Sequence, residues 1–304
     1  MAPLTDSLER LSSLLGELEG EPAALDGGIT NRNYRARFGG VDVVIRLPGK
    51  DTDQLQIDRL AERDANRCAA AAGVAPEVLA MLEEPPCLVT RFVEGREMRA
   101  DELRDLAALE QVAAALRAVH GCEPVSASFS PFRIVELYAE RSRARGAAVP
   151  VAYGRSQVSA GRIEAALRRR PHEVVLCHND LLAANFLRSP AGLRIVDWEY
   201  AGMGDRYFDL GNFAVNNELA PDEEEALLAA YFGEPATAGR LAALRLMRFM
   251  SDFREAMWAV LQGSLSDLDF DFDEYAAKHF DRLGAAEAEP RFAILLEEAG
   301  SGAD

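Results

Sequence analysis

His178-Asn179-Asp180-Leu181-Leu182-Ala183-Ala184-Asn185, with Ile195-Val196-Asp197 after it, is the stretch from which the rest of the chain is read. Its spacing is H-x-D-L-x-x-x-N, followed by a short apolar strand that ends in an acid. Transfer of a phosphoryl group through a loose transition state asks little covalent help. It requires an acceptor oxygen aimed in line and cations that hold the charge on the phosphates. Asp180 is placed to orient and deprotonate a hydroxyl. Asn185 offers a neutral oxygen across the same loop and Asp197 an anionic one, a hard-oxygen pair suited to magnesium and completed by phosphates and water. Either residue alone reads as a turn that satisfies its own backbone; the joint spacing overrides that reading. His178 is expected to brace the loop rather than carry protons.

Upstream, Val41-Asp42-Val43-Val44-Ile45-Arg46-Leu47 alternates, so Val41, Val43, Ile45 and Leu47 share one strand face while Val44 and Arg46 share the other. Arg46 therefore stands where a kinase places its phosphate-pairing lysine, with the valine under an adenine. A guanidinium also holds phosphate, in forked geometry. Glu62, on the helix that follows, is a candidate ion-pair partner that would fix Arg46. Between two strand-like runs, Gly27-Gly28-Ile29-Thr30-Asn31-Arg32-Asn33 could lay backbone N–H groups and the side chains of Thr30, Asn31 and Asn33 against phosphate oxygens.

The surrounding pattern predicts an α+β fold of two lobes. An amphipathic helix is expected at residues 7–18, then a hairpin region, then a helix over 53–72 with Leu55, Leu60, Ala61, Ala65, Cys68 and Ala72 turned inward. A strand is expected at 87–93. After Glu94 and Gly95 comes a helix whose stripe is Leu103, Leu106, Leu109, Val112, Leu116 and Val119. The rest reads as mainly helical, interrupted by strands at 174–177 and 193–196, with helices at 221–231 and 237–262. The lobes are accordingly 1–93, a small antiparallel sheet with one helix, and 94–304, larger and helical.

Lys and Arg total 33 against 50 for Asp and Glu, a net charge of −17, which opposes binding to nucleic acid or to an anionic membrane through a diffuse basic surface. No apolar run of membrane-spanning length occurs, and the acidic first residues do not form a secretory signal, so the expected location is the cytoplasm. Cys68, Cys87, Cys122 and Cys177 lie far apart without a metal-ligand pattern and read as reduced thiols. P-loop, dinucleotide, zincin and hydrolase-elbow motifs are absent. Nothing in the sequence signals an oligomeric state.

These segments together resemble the choline/ethanolamine kinase branch of the aminoglycoside phosphotransferase-like kinases. The resemblance runs from about Leu25 to Phe280 and rests on Gly27 to Asn31, Val44 to Leu47, Cys177 to Asn185, and Ile195-Val196-Asp197-Trp198-Glu199-Tyr200 followed by Phe208-Asp209-Leu210-Gly211-Asn212. It implies a protein-kinase-like fold with ATP and Mg2+ between the lobes. By position, Asp180 is the base, Asn185 and Asp197 hold magnesium, Arg46 and Glu62 contact and brace the phosphates, and Gly28 belongs to the phosphate loop. Arg91 and Val93 would meet adenine through their backbone, and Glu199 belongs to the metal and acceptor region.

The acceptor implied is a small cationic alcohol, choline first, with ethanolamine, thiamine or an aminoglycoside as alternatives. On the late helix Asp252, Glu255 and Trp258 are spaced by three and share a face, and Phe270, Phe272 and Tyr275 follow. Aromatic faces with carboxylates hold a quaternary ammonium, which has no N–H to donate. The same row beside Arg245 and Arg248 is also the pattern of a salt-bridged helix surface. Eukaryotic choline kinases carry a second tryptophan where Glu255 stands, and a carboxylate there also suits a primary amine or a larger polycation. A catalytically silent kinase-fold binding protein is a competing reading, opposed by the presence of Asp180, Asn185 and Asp197. A protein-substrate kinase lacks support, since no Ala-Pro-Glu segment follows Asp197.

Overall fold

Alternating runs between residues 23 and 91 pair into an antiparallel five-stranded sheet. The computed structural model describes residues 2–25, 31–49, 51–169, 171–266 and 268–301. Helix α1 (Ala2–Leu15) precedes β1 (Ala23–Leu25), β2 (Asn31–Phe38) and β3 (Val41–Pro48); α2 (Arg59–Ala71) leads into β4 (Val78–Glu83) and β5 (Pro86–Arg91). The order across the sheet is β1-β2-β3-β5-β4. The β2–β3 turn needs glycine twice over, because Gly39 has φ 51° and a Cβ on it would lie 2.8 Å from the Leu15 carbonyl oxygen that ends α1.

Side-chain alternation on β3 comes out as expected. Val43, Ile45 and Leu47 enter a core with Leu11, Phe38 and Val89, while Val44 and Arg46 line the cleft on the opposite face. In register, Arg46 lies between Asn33 of β2 and Leu88 of β5.

The second helix differs from expectation. A short 3-10 turn covers Thr52–Leu55, and α2 begins only at Arg59, where the Asp58 carboxylate accepts the N–H groups of Leu60 and Ala61. Starting the helix there turns Leu60 to solvent, 48% exposed, and buries Ala61, Ala65 and Ala69 with Glu62 and Asn66. Ala65 and Ala69 join the large hydrophobic cluster of the second lobe rather than that of the sheet, so α2 packs across the lobe junction.

Beyond β5 the chain leaves the sheet. The next strand, β6 (Arg96–Glu97), pairs instead with the much later strand Phe186–Ser189. Helices α3 (Ala100–Leu103), α4 (Leu106–His120), α5 (Pro131–Ala144) and α6 (Ala152–Arg168) lead to β7 (Val174–Cys177), β8 (Phe186–Ser189), β9 (Gly192–Ile195) and β10 (Gly202–Asp205). Among the described residues there follow α7 (Arg206–Asn216), α8 (Pro221–Phe232), α9 (Ala238–Gln262), α10 (Phe272–Ala288) and α11 (Arg291–Ser301). The helix expected through Leu103 to Val119 is broken into α3 and α4 at Arg104-Asp105, which leaves Leu106 68% exposed at the start of α4.

Helix α9 is the axis of this lobe, with α5, α7, α10 and α11 packed along it. Thr237 caps its first turn through Arg240 N–H. Where α7 crosses it, a Cβ on Gly211 would stand 2.7 Å from the Arg248 nitrogen, so the two backbones touch there. The molecule is two-lobed, a small antiparallel sheet over a larger helical body. No described helix is long and apolar enough to cross a membrane.

Candidate active site

Strand β7 ends at Cys177 and hands the chain to a loop whose backbone is pinned from below. Asp209, fully buried on α7, accepts the His178 N–H through Oδ2 (2.8 Å) and the Asn179 N–H through Oδ1 (2.7 Å). Asn212, one turn on, accepts the Leu181 N–H at 2.5 Å. Asn179 has φ 67°, a left-handed conformation that asparagine tolerates, and its amide donates to the Tyr200 carbonyl (2.9 Å). His178 braces the loop as expected: Nε2 donates to the Val196 carbonyl (3.0 Å) and Nδ1 accepts the Asp180 N–H (3.2 Å). Burial lowers its pKa, which keeps it neutral and both bonds intact.

The pinned loop carries Asp180 and Asn185. The Asn185 amide donates to the Asp180 carbonyl (2.8 Å), and no described residue donates to its side-chain oxygen. Asp197 follows β9 with φ 68°. Its Oδ1 lies 2.5 Å from Arg46 Nη1, and the same nitrogen is 3.0 Å from Glu62 Oε1. Thus the expected Arg46–Glu62 pair exists and extends to Asp197. Burial works against the charge on Arg46, but Asp197, Glu62 and Glu199 outweigh it and raise its pKa.

Between the lobes lies a cleft of about 410 Å3 lined by Leu25, Asn33, Val44, Leu88, Val93 and Val196, with Arg46 and Asp197 at its polar end. The Asn33 side-chain oxygen is buried there without a partner among the described residues. Arg91 and Val93 also line it, and the Arg91 side chain turns out to Glu77 (2.8 Å). Gly28 and Thr30 lie outside the described residues. Asn31 is buried; its amide N–H donates to Glu199 Oε2 (2.8 Å) and its oxygen accepts from Arg59 (3.0 Å). Arg59 also reaches Glu62 (2.7 Å) and Glu199 (3.4 Å). Burial, and then Asp197, push Glu199 up to about 8.

Beside Asp180 the second lobe presents a row of contacts running outward. Arg254 Nη1 lies 3.0 Å from Asp180 Oδ1 and also donates to Glu255; Tyr275 donates its hydroxyl to Glu255 Oε2 (3.1 Å). The Tyr275 ring meets Trp258 at 6.1 Å and Phe270 at 5.7 Å, and Trp258 Nε1 donates to the Tyr200 hydroxyl (3.1 Å). Glu255, Trp258, Phe270 and Tyr275 are therefore brought together. Asp252 pairs with His279 (2.7 Å) and Arg282 (3.3 Å), and the His279 ring lies 4.6 Å from that of Tyr275. Burial raises Asp180 to about 6, with Arg254 pulling it down and Glu255 and Asp197 pushing it up.

Among solved structures, a choline/ethanolamine kinase family protein from Mesorhizobium loti superposes with a TM-score of 0.84 at 30% identity, covering 98% of this chain and 99% of that one. The phosphotransferase enzyme family model matches residues 22–246. The chain belongs to that family, in its choline/ethanolamine kinase branch. LicA of Haemophilus influenzae is 26% identical over 270 residues, 86% of this chain and 78% of that protein. LicA in complex with AMP shares the fold, with a TM-score of 0.75 at 23% identity over 96% of this chain and 98% of the other. The chain is thus an ATP-dependent phosphotransferase acting on an alcohol group.

Several residues of this phosphotransferase site carried no assignment in the sequence. Asp209 and Asn212 sit in the block most specific to the family, yet their role is visible only once α7 lies under the loop. Arg59 and Arg254 carry no motif, and long-range contacts alone disclose them. The fold also brings Cys177 within 4.8 Å of ligand atoms of His120 and Asp209, a convergence that sequence spacing does not contain. His120 there already bonds Asp209 (3.1 Å) and the Tyr231 hydroxyl (2.7 Å).

Proposed function

We propose that the protein transfers the γ-phosphoryl group of ATP to the hydroxyl of a small amino alcohol, choline foremost with ethanolamine beside it. The observation that carries this reading is the junction of the Asp180–Asn185 loop with the strand end at Asp197 (Val196 N–H to the Asn185 carbonyl, 2.9 Å), beside a cleft that Arg46 enters from the opposite lobe to meet Asp197. Asp180 takes the hydroxyl proton and aims the oxygen. Val44, Leu88 and Val93 hold the adenine, whose edge meets the backbone of Arg91 and Val93, and Arg46, fixed by Glu62, contacts the phosphates. The lobes divide between Val93 and Glu94.

An amide oxygen and a carboxylate form the donor set that magnesium prefers, and the undonated Asn185 oxygen fits it. Asn185 and Asp197 would hold the ion. Bound there, magnesium would neutralise charge on the transferring phosphates. Glu255, Tyr275, Trp258 and Phe270 form an acidic and aromatic wall beside Asp180, which supports a cationic acceptor. The Mesorhizobium loti protein is grouped by choline and ethanolamine, which supports these acceptors, and a cytoplasmic location would supply the ATP.

The test is magnesium-dependent ATP consumption with choline, ethanolamine, thiamine and an aminoglycoside, repeated with Asp180→Asn. Turnover stimulated by choline or ethanolamine, and lost by at least about 10²-fold in the variant, is expected for removal of a general base. No stimulation by either amine would end the acceptor assignment; full turnover by the variant would end the assignment of the base.

A further inference from the structure

The loop that carries Asp180 does nothing to hold its carboxylate. Leu181, Leu182, Ala183 and Ala184 have no polar side chain, and the described bonds of the loop all serve its backbone. The one described hydrogen bond to that carboxylate comes from Arg254 in the middle of α9, whose Nη1 takes Oδ1 at 3.0 Å. No described residue donates to Oδ2.

Arg254 is itself fixed from several sides. Its side chain is 2% exposed, its guanidinium carbon lies 4.4 Å over the Tyr200 ring, and Nη1 also donates to Glu255. Glu255 is held by Tyr275 and Tyr200 by Trp258. Desolvating a guanidinium this far is costly, and an apolar side chain would fill the place with less penalty. A charge kept there at that cost, and touching the group that does the chemistry, has work beyond packing.

We propose that Arg254 is a positioning residue for Asp180: it secures one carboxylate oxygen so that the other is presented to the acceptor hydroxyl. The proposal rests on the reading of Asp180 as the base. Arg254 acts through that carboxylate and not by touching the acceptor. Since it already occupies the Tyr200 face, the acceptor's cationic head is left the Tyr275, Trp258 and Phe270 side of the wall.

A double-mutant cycle tests it, with Arg254→Met, Asp180→Asn and the pair, followed both as choline and ethanolamine phosphorylation and as acceptor-free hydrolysis of Mg-ATP. Arg254→Met should lower the rate about 10²-fold, the loss typical of a base misplaced by about 1 Å, with the KM for ATP within about twofold of wild type. In the Asp180→Asn background the same change should cost less than about threefold, because groups acting as a unit do not add. Arg254→Lys should recover part of the rate. Because Arg254→Met strands a buried carboxylate, Arg254→Met with Glu255→Gln provides a foldable second variant, for which the same coupling is expected. Equal losses in both Asp180 backgrounds would overturn the proposal. So would a lower KM for choline at unchanged kcat, the mark of an arginine that merely blocks the acceptor's place. A wild type that hydrolyses Mg-ATP but phosphorylates neither amine would sink the acceptor assignment alone, since the cycle is still read on hydrolysis.

Discussion

Replacing Asp209 by asparagine changes one atom and should disable the loop above it. The carboxylate is fully buried and presents two oxygens to donors: Oδ2 to His178 N–H (2.8 Å) and His120 Nε2 (3.1 Å), Oδ1 to Asn179 N–H (2.7 Å). An amide has one oxygen. Its better orientation turns that oxygen to His178 and His120, so its NH2 faces the Asn179 N–H, donor against donor. A hydrogen bond to a charged group is worth about 1.5–3 kcal/mol, and a buried donor left unmatched costs about 1–3 kcal/mol more, so a total near 3 kcal/mol is expected. At about 2–4 °C per kcal/mol for a chain approaching this size, Tm should fall by roughly 6–12 °C. The damage is local to Asn179, already at φ 67° and adjacent to Asp180, so kcat should fall about 10²-fold through misplacement of the carboxylate. Thermal unfolding and steady-state turnover of Asp209→Asn measure both. A variant that melts within about 1 °C of wild type and keeps its kcat would show that the loop is held by something other than this carboxylate.

Gly211→Ala should destabilise by about 1–3 kcal/mol in denaturant unfolding, because its Cβ would meet α9 backbone atoms at 2.7 to 2.9 Å and force α7 off its helix. Arg46→Lys keeps a charge but loses the guanidinium whose Nη1 meets both Glu62 and Asp197 and whose forked donors suit phosphate, so the KM for ATP should rise about tenfold with a smaller change in the KM for the acceptor. With Asp180 pushed up to about 6 by burial, kcat/KM for the acceptor should fall as pH drops through that value, since the protonated acid cannot accept the hydroxyl proton. Arg254 pulls that pKa down, so Arg254→Met should move the acid limb to higher pH; a limb that stays put would contradict the contact.

The parts of this site that were legible in the sequence are those fixed by short-range geometry. Strand alternation alone put Arg46 and Val44 on one face, and loop spacing alone put Asp180 and Asn185 together, because neither depends on what packs behind them. The α2 register went astray at Leu60 since the Asp58 cap, not apolar periodicity, decides where the helix begins. Asn31 carried a phosphate-loop expectation because its neighbours are Gly27, Gly28 and Thr30; its partner Glu199 lies 168 residues away, and no local pattern encodes that bond. Asp252 shares a helix face with Glu255 as its spacing requires, but the side chain is claimed by His279 and Arg282 from α10. A face tells which residues are neighbours, and the element packed against it decides what each one does.

The junction between the lobes is closed in large part by charge. Arg46, Arg59, Glu62 and Asn31 come from the first 93 residues, and Asp197 and Glu199 from the rest, joined by contacts of 2.5 to 3.4 Å. Such pairs add little net stability, because the cost of removing each group from water nearly cancels the attraction it gains. Their value lies in direction. An apolar junction would tolerate sliding, whereas a guanidinium bonded to Glu62 on its own lobe and to Asp197 on the other fixes where Arg46 stands relative to Asp197. Apolar packing crosses the same junction, since Leu55, Ala65, Ala69, Val74 and Ala75 of the first lobe join the large cluster of the second.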